Sequence, residues 1–180
     1  MTEEQYVKIK DAYLENIKRY MLSSGSLFAH ITVFGQHKDG DDKDAIIHIP
    51  IPDEFMKSEE RKDKFMDDVF PEIASTIKKK FIPYGIGWAA EAWVRVLSKD
   101  EKMPKDWKSI PIAKEVVLVQ LEFKEKKEAI VYEIKRLGKQ VNEDGDLVDQ
   151  IDLIEDPNYS SPESMSGRFS NLYEKFIGKD

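Results

Sequence analysis

The first helix can be predicted from hydrophobic spacing alone. Apolar and aromatic residues recur every three or four positions from the N-terminus to Leu22, which is typical of one buried helix face. Thr2 and Gln5 stand three residues apart just before this stripe, as in a capping box, so they predict where the helix begins. The stripe also predicts core positions for its tyrosines, Tyr6, Tyr13 and Tyr20.

Later segments are rich in β-branched and aromatic residues and are bounded by turn-forming residues, as strands are. We expect five strands at Leu27–Phe34, Ala45–Ile51, Tyr84–Leu97, Glu115–Phe123 and Glu128–Leu137. A sixth follows a turn at Asn142–Asp146 within Val141–Ile154.

A second amphipathic helix begins at Ser58 and runs to Phe81, and Pro71 should kink or split it. The order α-β-β-α-β-β-β-β-α predicts an α+β fold, with an antiparallel or mixed sheet of five to six strands and the helices packed on one face. Residues 1–156 are expected to form one domain, followed by a flexible linker at 157–167 and a short C-terminal helix within 168–180.

Side chains alternate between the faces of a strand, so the first hairpin can be divided into two faces without knowing its register. The core face should carry the uniformly apolar set, Leu27, Ala29, Ile31, Val33, Ala45, Ile47, Ile49 and Ile51. His30 and His48 then share the opposite face. The same alternation places Glu91, Trp93 and Arg95 opposite the apolar side of the third strand.

If these strands join one sheet, its second face becomes the candidate binding surface, carrying Glu91, Trp93, Arg95, His30 and His48. A tryptophan beside a carboxylate and a guanidinium can stack on and hydrogen-bond a planar ligand or a partner's side chain. The alternative is an ordinary solvated face, because antiparallel sheets commonly present one polar side to water.

Composition limits the function classes. With 41% hydrophobic and 35% charged residues the chain should be globular, and the absence of cysteine excludes disulfides, thiolate metal sites and cysteine nucleophiles. No apolar run approaches the roughly 20 residues that cross a bilayer, and the N-terminus does not resemble a signal peptide, so we expect a cytoplasmic protein without membrane contact.

The net charge of −7 lies in one stretch. Residues 141–156 hold seven acids and no base, and the 28 acids elsewhere equal the 28 lysines and arginines. This distribution argues against non-specific nucleic-acid binding, which needs a basic surface. The stretch is either a solvated hairpin or an acidic patch for a basic partner, with Glu143, Asp144, Asp146, Asp149 and Asp152 as its central residues.

Two metal-dependent sites are possible alternatives. A carboxylate-x-lysine pattern, which restriction-nuclease-like enzymes use to bind magnesium and activate water, would place Glu122, Glu133 and Lys135 in one catalytic site. The turn expected after Arg136 departs from that family, which has a helix there. His30, His48 and Glu91 form the other possible ligand set. No cofactor is otherwise expected.

The middle of the chain resembles a group of small uncharacterised proteins common in bacteriophage and environmental genomes. The resemblance is carried by AAEAWVR (Ala89–Arg95), KEVVLVQLE (Lys114–Glu122) and VYEIKR (Val131–Arg136). It implies a phage origin and an accessory role, but it does not indicate which activity the chain has.

The sequence therefore predicts a non-enzymatic phage accessory or host-interaction protein that binds another protein through the polar sheet face or the acidic stretch. A phage-encoded chain of this kind would act in the host cytoplasm. A metal-dependent hydrolase or nuclease is the alternative, and a minor virion component is the second alternative.

Overall fold

The strands form one antiparallel sheet. The computed structural model of the chain describes residues 1–40, 44–94, 114–156 and 169–178. Within these residues the six strands are ordered β2-β1-β3-β4-β5-β6, and every neighbouring pair is antiparallel. The strands are β1 (His30–His37), β2 (Asp44–Pro50), β3 (Phe81–Val94), β4 (Lys114–Phe123), β5 (Lys126–Val141) and β6 (Leu147–Glu155). The predicted α+β class, strand number and element order are confirmed.

The first helix, α1 (Glu3–Ser24), begins as predicted. Thr2 accepts a hydrogen bond from the Gln5 backbone, and the Gln5 side chain accepts one from the Thr2 backbone, which completes the capping box. The helix ends at Gly25, whose φ of 73° favours glycine.

One predicted core position in α1 is wrong. Tyr6 and Tyr13 are buried, but Tyr20 is 44% exposed. A seven-residue repeat drifts by about 20° per heptad on a straight helix, so the third tyrosine has turned away from the face that holds the first two. Ile17 and Met21 take the buried positions in this part of the helix.

The predicted second helix is divided into pieces, α2 (Asp53–Met56), α3 (Glu59–Lys64) and α4 (Phe70–Lys80). A π-helical turn at Phe65–Val69 joins α3 to α4, with the Phe70 amide donating to the Phe65 carbonyl five residues earlier. Pro71 follows at once. Since proline has no N–H for the α-helical bond, the widened turn before it gives the discontinuity that the sequence predicts.

Helices cover both faces of the sheet, whereas the sequence predicted one. The α1 cluster contains residues from β1, β3, β4, β5 and β6, including Phe34, Ala89 and Val119. The opposite cluster joins β1, β2 and β3 to α4 and to the C-terminal helix α5 (Leu172–Ile177). The physical reason is visible in β4, KEVVLVQLEF, because an almost continuous apolar run is buried on both sides.

The predicted division of the first hairpin is confirmed. Ile31, Val33, Ile49 and Ile51 lie in the cluster opposite α1, and His30 lies beside His48 on the α1 face. Leu27 is the exception, since it precedes β1 and belongs to the α1 cluster. The predicted linker at 157–167 lies outside the described residues, and the C-terminal helix is present as α5. No helix in the described part of the chain is long and apolar enough to cross a membrane.

Candidate functional site

An open groove runs between the second half of α1 and the β1–β2 hairpin. Its volume is about 740 Å³, within the usual range of ligand-binding sites. We call it the α1–β2 groove; its lining residues are Tyr13, Asn16, Ile17, Arg19, Tyr20, Ser23, Leu27, Phe28, His30, His48 and Pro50. Among the described residues, the α1 cluster takes no member from β2, so the helix does not cover this corner of the sheet.

The two predicted histidines form the floor of this groove. Their ring centroids are 5.9 Å apart at an interplanar angle of 72°. His30 Nδ1 lies 3.0 Å from the Phe28 carbonyl, and Nε2 lies 3.4 Å from the Tyr13 hydroxyl. Because a carbonyl only accepts, Nδ1 carries the proton of the neutral ring and Nε2 accepts from Tyr13. His48 Nδ1 is 3.0 Å from Thr32 Oγ1.

Burial keeps the inner end of the groove uncharged. It lowers the pKa of His30 below its usual value, and the neighbouring His48 lowers it further against the opposing bond to the Phe28 carbonyl. Burial also raises the pKa of the Tyr13 hydroxyl. At neutral pH the Tyr13–His30 pair is therefore a neutral donor–acceptor pair.

The rim of the groove is aromatic and basic. Tyr20 and Phe28 are 44% and 59% exposed, and Arg19 donates to Asn16 Oδ1 at 2.9 Å. No carboxylate lines the groove in the described part of the chain, although the whole chain has a net charge of −7. The groove is thus suited to a ligand with an apolar group and a negative charge.

Glu91 and Trp93 lie on the same sheet face, across the connection from α1 to β1. The Leu27 backbone donates to Glu91, and Leu27 also lines the groove, so the two regions share this residue. Trp93 is 67% exposed, and its indole N–H donates to Glu115 at 3.2 Å. A hydrogen bond therefore fixes the orientation of an exposed tryptophan.

Arg136 organises the carboxylates around that tryptophan. Its guanidinium binds Glu115 at 2.6 Å and Asp149 at 2.7 Å, and it lies 3.6 Å from Glu91. It also donates to the Gly25 carbonyl at the end of α1. The network ties β3, β4, β5 and β6 to the end of the helix.

The pKa values of Glu91 and Glu115, two carboxyl groups of this network, are shifted in opposite directions. Burial is the main influence on Glu91 and raises its pKa, despite the Leu27 hydrogen bond and Arg136. The hydrogen bond from Arg136 lowers the pKa of Glu115. The lowered pKa favours the anionic form of Glu115, the residue that holds the indole.

The residues of the nuclease alternative are not brought together. Glu122 is aligned with Lys127, whereas Glu133 is aligned with Val116, six positions before Glu122 on β4. At about 3.3 Å per residue the two carboxylates stand about 20 Å apart along the strand. Lys135 is aligned with Asp152 and is exposed.

Each of these carboxylates has a partner of its own. Glu122 is buried and accepts bonds from the Tyr173 backbone and the Gln120 side chain. Glu133 pairs with Lys114 at 3.0 Å. Within the described ranges, no three metal-binding side chains cluster, and Glu91 does not join the histidine pair.

The acidic stretch forms the β5–β6 turn and the edge strand β6. Asp149 is held by Arg136 and by Lys139, the latter at 2.5 Å. The other central acids are exposed in the turn or on the strand: Glu143, Asp144, Asp146 and Asp152. Arg95 lies outside the described residues.

Sequence reasoning missed the walls of the groove and the role of Arg136. The available signal was the pair Tyr20 and Phe28, two large aromatic residues on either side of a predicted turn. Comparisons with protein-family models, with curated proteins and with solved structures give no match for this chain.

Proposed function

We propose that this chain acts by binding rather than by catalysis, and that it holds a segment of a partner protein in the α1–β2 groove. The observation that carries the proposal is the groove itself. It joins a neutral His30–Tyr13 floor to exposed aromatic residues at a corner of the sheet that α1 does not cover. Grooves with mostly apolar walls and a few oriented polar groups are typical binding sites.

Charge indicates the kind of segment. Arg19 lines a groove with no described carboxylate, in a chain whose net charge is −7. An acidic residue of the partner would approach Arg19, while an aromatic or aliphatic residue would pack against Tyr20 and Phe28.

Trp93 gives the interface a second contact. It lies beyond Leu27, the residue shared by the groove and the Glu91 network, and Glu115 holds its indole in one orientation. Exposed tryptophans held in place contribute strongly to protein interfaces. The proposed surface therefore includes Glu91 and Trp93 as well as the histidines.

The resemblance to phage proteins suggests the biological setting. An accessory protein of this kind would bind a host protein in the host cytoplasm. A minor virion component is the separate alternative, and co-purification of the chain with particles would support it.

The test compares the proteins recovered from a bacterial extract by three baits. These are the wild type, the groove variant Tyr20→Ser/Phe28→Ser and a matched control, Ile82→Ser, at an exposed apolar residue of β3. Any protein recovered by the wild type and the control but not by the groove variant is purified. Its affinity for each bait is then measured by calorimetry.

We expect the groove variant to bind at least about tenfold more weakly, because two aromatic contacts of an interface core are removed. Equal affinity for the groove variant and the control would contradict the proposal.

A further inference from the structure

Strand β2 is an edge of the sheet, and the α1–β2 groove opens beside it. It has β1 on one side and no described strand on the other. Resting on the binding function proposed above, we infer that the partner segment binds as an extended strand added to β2, with alternate side chains over the groove. Main-chain hydrogen bonds supply affinity in such complexes, and side-chain pockets supply specificity.

The backbone of β2 is oriented to pair with an added strand. The Ile51 N–H donates to the Ala29 carbonyl at 2.8 Å, so it points towards the β1 side. Backbone groups alternate in direction along a strand, and therefore those of Ile46 and His48 point outwards. Pro50 also occupies an outward position, where its missing N–H removes no bond to β1.

The side chains of β2 leave this edge open. Ile46 is 48% exposed, and His48 and Pro50 are exposed beside it on the α1 face. Asp44 is the one charged residue among the seven of the strand. An exposed apolar edge is a template for pairing, and proteins ordinarily block one with charges.

The opposite edge of the same sheet, β6, is blocked by charged side chains. Strand β6 carries the exposed acids Asp152 and Glu155, and the exposed acids Glu143, Asp144 and Asp146 lie in the turn before it. The contrast between the edges shows that β2 lacks the protection that β6 has. It is the edge at which this sheet can accept another strand.

Charge favours a different protein over a second copy as the added strand. Two β2 strands paired about a twofold axis would place two grooves side by side on the same face. Each groove contains Arg19 and no described carboxylate, so the pairing would bring like charges together. An acidic segment is complementary to this surface.

The available backbone groups limit the length and pattern of the segment. Outward groups from Ile46 to Pro50 match a strand of about five residues. Every second residue would face the groove, with an acidic side chain near Arg19 and an aromatic or aliphatic one near Phe28. The residues between them would face the side covered by α4.

The experiment selects binding peptides from a random dodecapeptide library displayed on yeast, with the full wild-type chain as bait. Synthetic copies of the selected peptides are titrated against the wild type, Ile46→Pro and the matched control Ile46→Thr. Proline removes one outward N–H and leaves the bonds to β1 intact, whereas threonine keeps the N–H. Amide hydrogen exchange at Ile46 and His48 is measured by NMR in the wild type, with and without peptide.

We expect alternating peptides with an acidic and an aromatic residue two positions apart. They should bind the wild type and Ile46→Thr alike and Ile46→Pro at least about tenfold more weakly, and they should slow exchange at Ile46 and His48. If the proline variant does not fold, hydrogen exchange at Ile46 and His48 in the wild type tests strand addition by itself.

Three other results overturn the inference in distinguishable ways. Peptides that bind all three forms alike, leave both amides unprotected and lose affinity for Tyr20→Ser/Phe28→Ser would contradict strand addition while supporting the groove. Selected peptides that ignore both sets of substitutions would contradict the groove as well. Wild-type dimers in sedimentation that disappear with Ile46→Pro would replace the partner with a second copy.

Discussion

His30 is held at both ring nitrogens, by the Phe28 carbonyl and by the Tyr13 hydroxyl. Burial lowers its pKa in the folded chain below the usual value of 6.5. The unfolded chain therefore binds a proton more readily as the pH falls through this value, and unfolding becomes easier. The His30 contribution to stability is complete above the unfolded pKa and is lost as the pH falls towards the folded one.

The variant His30→Gln removes this titration. Urea unfolding from about pH 8 to about pH 5.5 should show the wild type losing stability relative to the variant, with an added slope of at most about 1.4 kcal/mol per pH unit for one proton. A constant difference between the two proteins across this range would contradict the assignment.

Elements can be compared through Glu122 and Glu133, the two carboxylates of the nuclease alternative, which look alike in sequence and differ in the structure. Glu122 is buried under α5, where it accepts the Tyr173 backbone N–H at 3.0 Å. Lys127, its cross-strand neighbour, donates to Asn171 at the start of the same helix. Glu122 and Lys127 therefore anchor a helix.

This difference gives a matched pair of variants. Glu122→Ala should lower the free energy of unfolding in guanidinium by about 2–4 kcal/mol, because it removes a buried acceptor and leaves unpaired donors from Tyr173 and Gln120. Glu133→Ala breaks a partly exposed pair with Lys114 and should cost about 0–1 kcal/mol. Equal losses for the two variants would show that Glu122 does not anchor α5.

Local pattern was enough to predict much of each element. The alternation that places His30 beside His48 needs no tertiary contact, and neither does the capping box of Thr2. The groove depends on the position of the end of α1 relative to β2. That position is set by tertiary packing, which a local sequence pattern does not reveal. Trp93 was found by alternation, but its partner Glu115 and the organiser Arg136 come from strands later in the chain.

At the scale of the whole molecule, the two helical layers are displaced from one another across the sheet. The α1 cluster reaches β6 and omits β2, while the opposite cluster includes β2 and takes no described residue from β5 or β6. Therefore α1 leaves β2 uncovered on one face of the sheet, and the opposite helical layer leaves β6 uncovered on the other face. The groove lies at the β2 corner, and the acidic stretch lies at the β6 edge.

The exposed acids of β6 and of the turn before it should accordingly keep this edge of the sheet from pairing. Exposed Leu147 and Val141 lie at the end of the same hairpin, so removing charge would leave an apolar edge. We expect Asp146→Asn/Asp152→Asn/Glu155→Gln to self-associate with rising concentration in sedimentation velocity, where the wild type does so less. The control Asp67→Asn/Asp68→Asn/Glu72→Gln removes the same charge from exposed helical positions and should behave as the wild type does. Equal association of both triple variants would mean that net charge acts in solution and that the position of these acids on the edge does not matter.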